Sequence, residues 1–337
     1  MNTLLVSAIL AGALASSTFA SEPAGYVVCW GNQDLAPAQP FEHKPDRAGL
    51  VRVGKEIITN AVEIAAGMQH ALALLGDGRV VGWGFNSENA LQIPSLQNVK
   101  GLGAGDGFSL ALHRDGTLTF WGRIVSGSPG MLPKLPPVAA LSAGRSSVLV
   151  LQNDGTVAGW GRAYEPAPEL ADVVAISTSR TRYPTSLAVR RNGSVVSWGF
   201  KSRPPPTGLS NVVSVAAGDN YNLALTKEGT VHAWGENDAG QATGVPGGDN
   251  DSGLVMIRAR LLTNVVAIAT GSAFNLVGRP CSFSLALTRD GGLECWGQMA
   301  GEPAYVPRGL SNVIAIAAGQ NYAIAITTNQ VVARRFR

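Results

Sequence analysis

Short apolar runs whose side chains alternate between two faces recur along the chain, and each is broken by a glycine pair. One set reads HALALL, FSLALHR, SVLVLQN, TSLAVRR, YNLALTK and FSLALTR. These runs lead into Asp77-Gly78, Asp115-Gly116, Asp154-Gly155, Asn192-Gly193, Glu228-Gly229 and Asp290-Gly291. A second set follows the pairs: RVVGWG, TLTFWG, TVAGWG, SVVSWG, TVHAWG and GLECWG. Period-two alternation in Val-, Leu- and Ala-rich segments predicts β-strands, and Asp-Gly or Asn-Gly supplies the positive φ that a two-residue hairpin needs. In all six cases the Gly stands five residues before a Trp. A third set lies upstream: NAVEIAAG, NVKGLGAG, VAALSAG, DVVAISTS, NVVSVAAG, NVVAIATG and NVIAIAAG. One unit therefore reads strand, loop, strand, tight turn, strand ending in Trp-Gly, then a variable connection.

All seven tryptophans precede glycine, at spacings of 53, 38, 39, 38, 36 and 62 residues. A period near 40 is the signature of a repeat architecture. Strand-only units of this length predict an all-β chain folded as a seven-bladed β-propeller. The upstream strands and the Trp-Gly strands are out of phase by one. AGYVVCWG, with Gly25 five residues before Trp30, lacks upstream partners. NVIAIAAGQNYAIAITTNQ lacks a Trp-Gly strand, and Arg335 stands at the aligned Trp position. An open array would leave an unpaired sheet edge at each end. Closure is therefore expected, with strand 26–31 completing the blade formed by 311–330. The reading gives one propeller domain over 24–330, with 331–337 a displaced tail or an addition at the outer edge. Each indole is expected to fill space between blades, and the Gly after it to permit close backbone approach. The alanines of the strands are expected to face the inner ring.

The first twenty residues differ from the rest. They carry no charged side chain, run apolar from Leu4 to Leu14, and place Thr18 and Ala20 before a possible cut at Ser21. This predicts a secretory signal peptide over 1–20 and a secreted, periplasmic or surface location. No later stretch is long and apolar enough to span a membrane. The net charge of +3 is spread thinly with no basic block, which argues against a nucleic-acid partner. The three cysteines cannot all pair; Cys281 and Cys295 are close enough in sequence for a disulfide within one unit.

The best copy of the unit, Ala216 to Gln241, reads AAGDNYNLALTKEGTVHAWGENDAGQ. It resembles the regulator of chromosome condensation repeat family, and the resemblance covers about 24–330. Copies depart from the pattern after Trp121, Trp160 and Trp198, where the Asn and Gly-Gln are missing. The resemblance implies a seven-bladed propeller closed by strand exchange between the termini. The family's name-giving member is a nuclear exchange factor for a small GTPase, an activity at odds with an exported chain. The short period is similar to that of secreted bacterial members. One of these inhibits β-lactamases by binding across one face of its ring, which implies a protein partner here.

Candidate chemistry is sparse. The four histidines, His43, His70, His113 and His232, show no metal-ligand spacing. GGDNDSG at 247–253 holds Asp249 and Asp251 but lacks the later bidentate Glu of a calcium loop, and reads as a solvated loop. No cofactor or metal is expected, and no catalytic constellation, so the chain reads as a non-enzyme. Function on such a scaffold lives in loops. The loops between first and second strands share one face, and two are long: 179–186, with Arg180, Arg182 and Tyr183, and 271–284. The candidate binding residues are His70, Asp106, Phe108, Arg145, Arg182, Tyr183, Asp219, Tyr221, Phe274, Arg279 and Tyr322. Tyr, Phe and Arg are the types enriched at interface hot spots. The reading is a monomeric binding protein with a protein partner; an extracellular polysaccharide-acting enzyme and an exchange or chromatin-binding factor are the alternatives.

Overall fold

The computed structural model describes residues 23–31, 49–123, 133–161, 165–200, 202–247, 251–274, 280–299 and 301–329. The expected signal peptide at 1–20 and the tail at 331–337 lie outside them. Among the described residues no helix is long and apolar enough to cross a membrane.

Seven antiparallel sheets follow one another as blades, each with an inner, a middle and a third strand. Blade 1 is Ala61–Ala66, His70–Leu75 and Val80–Gly84. Blade 2 is Val99–Ala104, Phe108–His113 and Leu118–Gly122. Blade 3 is Val138–Ala143, Ser147–Gln152 and Val157–Gly161. Blade 4 is Val173–Thr178, Thr185–Arg190 and Val195–Gly199. Blade 5 is Val212–Ala217, Tyr221–Thr226 and Val231–Gly235, with Asp251–Leu254 added outside. Blade 6 is Val265–Phe274, Pro280–Thr288 and Leu293–Met299. Blade 7 takes Val313–Ala318 and Tyr322–Thr327 from the end of the chain and Tyr26–Gly31 from its beginning.

That last pairing is continuous, from Tyr26 opposite Thr327 to Gly31 opposite Tyr322. The inner strands are neighbours in blade order, and Val313–Ala318 of blade 7 lies beside Ala61–Ala66 of blade 1. The apolar core is divided accordingly into seven clusters, each shared by two adjacent blades. One of them joins Val27, Tyr322 and Ile324 of blade 7 to Ala71, Ala73 and Trp83 of blade 1. The ring therefore has as many apolar seams as blades, with the strand at 26–31 in the place its phase required.

The middle-strand sequence explains the seams. In a strand, alternate residues face opposite sides. Leu223 and Leu225 face blade 6, while Ala224 faces blade 4 beside Trp234. A row of large residues thus meets the next blade's small row and its indole. The strand alanines accordingly pack in the seams, not as expected around the inner ring. The indoles hold chain as well as fill space: Trp121 donates to Ala90 O at 2.8 Å, and Trp296 to Ala242 O at 3.0 Å. Each acceptor lies in the connection leaving the preceding blade.

Every inner strand carries a bulge after its first residue, as at Val212/Ser214 and Val313/Ala315. The Asn before those two strands has positive φ, 56° at Asn211 and 52° at Asn312. The amide of each strand's first residue then bonds to the turn Gly of the preceding blade, Val212 N to Gly193 O and Val313 N to Gly291 O, at 3.1 and 3.0 Å. The recurrent Asn-Val of the sequence is this stitch.

Two loop expectations also change. The 271–284 segment is in part an extension of the blade 6 hairpin, paired out to Phe274 opposite Pro280. Asp251, expected in a loop, begins an outer strand that pairs with Val231–Gly235. Cys295 lies opposite Leu285, four positions from Cys281 along the partner strand, and is a free thiol, as is buried Cys29. Burial raises the pKa of Cys29 to about 12.

Candidate functional site

Because the three strands of a blade alternate in direction, the loop after the inner strand and the Trp-Gly end of the third strand emerge on the same face. Backbone bonds join the two features within a blade: Phe85 N to Gln69 O at 2.8 Å, Arg123 N to Gly107 O at 2.9 Å, and Glu236 N to Asn220 O at 3.0 Å. Others cross from blade to blade: Met68 N to Gly105 O at 3.0 Å, and Asp106 N to Arg145 O and Asn321 N to Ser272 O, both at 2.8 Å. The face is a platform whose loop backbones brace one another. Gly235 shows why Trp must be followed by Gly: its φ is +118°, and a Cβ there would lie 2.7 Å from Tyr221 Cα.

Four sequence-predicted residues are inside the wall. His70, Phe108, Tyr221 and Tyr322 are each 1% exposed or less. They share one repeat position and act as bolts to the next blade. Tyr221 donates its hydroxyl to Phe283 O at 2.7 Å, and Tyr322 to His70 O at 2.7 Å. His70 Nε2 lies 2.9 Å from Ser109 Oγ. Ser109 spends its proton on Ala90 O, so His70 is the donor in that pair. Burial lowers the His70 pKa to about 4, against the opposing pull of the Phe108 carbonyl. The four build the platform rather than its surface.

The exposed part is different. Asp106 and Arg145 form an ion pair at 3.1 Å between the loops of blades 2 and 3. Asp219 is half-buried, and its pKa is raised to about 6 by desolvation and then by the charge of Glu236. Glu236 in turn accepts from the Asn220 amide at 3.0 Å. On blade 4, Arg182 lies 5.7 Å over the Tyr183 ring, and Tyr183 packs against Phe200 with centroids 4.9 Å apart. Tyr183 is 48% exposed and Phe200 47%. Phe85, at 65%, is the equivalent of Phe200 on blade 1. The Phe274 side chain and all of Arg279 lie outside the described residues.

Phe85 and Phe200 are absent from the sequence-derived set. Their signal was available: each directly follows Trp-Gly, where Arg123, Glu236 and Gln298 stand in other blades. Arg180, named with the 179–186 loop, is likewise absent from that set; its Nε is buried without a partner among the described residues. Among the described residues no group of His, Cys, Asp and Glu has the arrangement of a metal site.

The regulator of chromosome condensation (RCC1) repeat model matches residues 61–90 and 212–241, the cores of blades 1 and 5. The chain is 29% identical over 122 residues to Rho GTPase-activating protein gacGG of Dictyostelium discoideum, covering 32% of this chain and 9% of that protein. It is 26% identical over 152 residues to protein pim1 of Schizosaccharomyces pombe, covering 36% and 26% respectively. Both matches thus span only a small part of those relatives. Among solved structures, Prp20p from Saccharomyces cerevisiae superposes with a TM-score of 0.68 at 18% identity, over 93% of this chain and 94% of that one. That structure is described together with Prp20p's binding to Gsp1p and histones.

Proposed function

We propose that this chain, whose blades 1 and 5 match the regulator of chromosome condensation (RCC1) repeat model, is an exported binding protein whose loop-bearing face recognises a protein partner. The observation that carries this reading is a rigid platform with exposed anchors. The loops are tied to one another through backbone amides, and Tyr183, Phe200 and Phe85 stand out from them. Rigid aromatic residues beside an arginine give large contact area at low entropic cost, the composition of interface hot spots. Prp20p, of the same fold, is described as binding proteins, which gives recognition by such a ring a precedent. Export rests on the uncharged apolar leader and the small residues before Ser21.

The test is capture from native extracellular fluid on immobilised protein. The variant Tyr183→Ala/Phe200→Ala is expected to lose the partner, while Arg114→Ala/Arg191→Ala, on the opposite face, retains it. Equal capture by both variants, or loss only in the second, would overturn the assignment of the face. Amino-terminal sequencing of the native protein should begin at Ser21; a retained leader on a cytoplasmic chain would overturn export.

A further inference from the structure

Arg180 opens the insertion of blade 4, and its surroundings are incomplete. Its Nε is sealed from solvent and has no acceptor among the described residues, whereas buried donors are ordinarily satisfied. Arg180 lies two residues beyond Thr178, the end of the inner strand of blade 4, and so stands on the loop face next to the inner wall of the ring. Among the described residues the ion pairs are Arg79–Asp77, Arg123–Glu88 and Arg145–Asp106, so no carboxylate answers Arg180.

The seam beside it is unusual in a second way. The bolt position, occupied by an aromatic or imidazole ring in five blades, becomes Ser147 in blade 3 and Thr185 in blade 4. Among the described residues, Ser147 Oγ and Thr178 Oγ1 are both buried without partners. Both side chains close on Gly144, where an added Cβ would lie 2.8 Å from Ser147 Oγ and 3.3 Å from Thr178 Cγ2. Unanswered donors on the inside and the exposed Tyr183–Phe200 pair on the outside thus belong to the same sector.

We propose that the mouth of the ring at blade 4 receives a carboxylate side chain from an acidic loop of the protein partner, with Arg180 as its ion partner and Tyr183–Phe200 as the apolar wall beside it. This rests on the reading of the same face as a protein-binding surface. A guanidinium presents paired donors that match a carboxylate. One inner cation balances a monoanion, whereas a phosphate dianion would leave uncompensated charge in the wall.

The experiment uses the whole chain with 15N-labelled arginine. The Arg180 Nε–H resonance is assigned by its loss in Arg180→Lys. Acetyl-Glu-Trp-amide, acetyl-Gln-Trp-amide and inorganic phosphate are titrated separately. The Glu peptide should move that resonance saturably, and the Gln peptide should bind about 10-fold or more weakly, the usual worth of a charged hydrogen bond. Tyr183→Ala, which keeps Arg180, should weaken the Glu peptide and leave the tryptophan near-ultraviolet dichroism unchanged; this arm stands if Arg180→Lys fails to fold. An Arg180 resonance unmoved by the Glu peptide, moved equally by the Gln peptide, or moved by phosphate alone would overturn the proposal. A silent Arg180 on a face that still captures a protein removes this inference and leaves the broader one standing.

Discussion

The Tyr322 hydroxyl donates to the carbonyl oxygen of His70 at 2.7 Å, across the seam where the last blade meets the first. Tyr221 makes the same bond to Phe283 O, also at 2.7 Å, in the seam between blades 5 and 6, neither of which borrows a strand from the other end of the chain. Closure therefore uses the same bolt as the rest of the ring. Tyr322→Phe and Tyr221→Phe should each lower stability by about 1 kcal/mol, the usual net worth of one hydrogen bond. Urea denaturation checks this. If Tyr322→Phe cost nothing while Tyr221→Phe cost the expected amount, the closing seam would not depend on its bolt.

Gly31 is the stricter requirement at closure. Its φ is +121°, and a Cβ there would stand 2.7 Å from Tyr322 Cα, with Asn321 O closer still. Relief would require the amino-terminal strand to move off its partner. Gly31→Ala should cost about 3 kcal/mol or more, combining backbone strain with a backbone clash. Gly54 has φ +61° and open space around it. Gly54→Ala should therefore cost only the left-handed penalty of about 1–2 kcal/mol. Thermal melts of the two variants compare them directly, and equal losses would contradict the close approach at Gly31.

His70 makes the blade 1 seam sensitive to acid. Its folded pKa is about 4, below the ordinary 6.5, because burial disfavours the imidazolium. A depressed histidine contributes stability above pH 6.5, and that contribution is lost as the pH falls toward 4. The full span corresponds to about 3 kcal/mol. Phe108 fills the same repeat position in blade 2 without titrating. His70→Phe should be about 1 kcal/mol less stable at pH 7.5, from the lost bond to Ser109. It should gain on the wild type as the pH drops below 6.5. Stability curves that stay parallel from pH 7.5 to 4.5 would contradict a buried neutral imidazole.

Much of this fold is legible in the sequence because repetition multiplies a weak signal. One Asp-Gly five residues before Trp-Gly says little; six copies fix the unit, and the phase of Gly25 and Trp30 fixes where the ring closes. The surface is less legible, because the repeat position that reads as an aromatic loop residue is the bolt. Tyr221 and Tyr183 have the same side chain and both lie near inner-strand loops, yet their exposures are 0% and 48%. What separates them is register. Tyr221 begins the middle strand, which directs it into the seam, whereas Tyr183 lies two residues before Thr185 begins its own. Composition cannot report that offset, but alignment of the repeats can, and the same alignment exposes Phe85 and Phe200.

Asp219 offers a pH response of the opposite sign. Desolvation, with a contribution from Glu236, raises its folded pKa from 3.8 to about 6. The folded state therefore holds a proton that the unfolded chain has already released between those values. Stability falls as the pH rises through this window, and the penalty is complete above pH 6. Asp219→Asn keeps the shape and removes the charge. It should match the wild type below pH 4 and exceed it by about 2 kcal/mol at pH 7.5, after allowance for partial exposure. Part of the gain belongs to the Glu236 charge, so it should shrink when Asp219→Asn is made in a Glu236→Gln background. Thermal melts at pH 4 and pH 7.5 give both comparisons. An Asp219→Asn variant less stable than wild type at pH 7.5 would mean that the ionised carboxylate accepts a bond the protein needs. In that case Asp219 would belong with the bolts of the wall rather than with the exposed residues of the loop face.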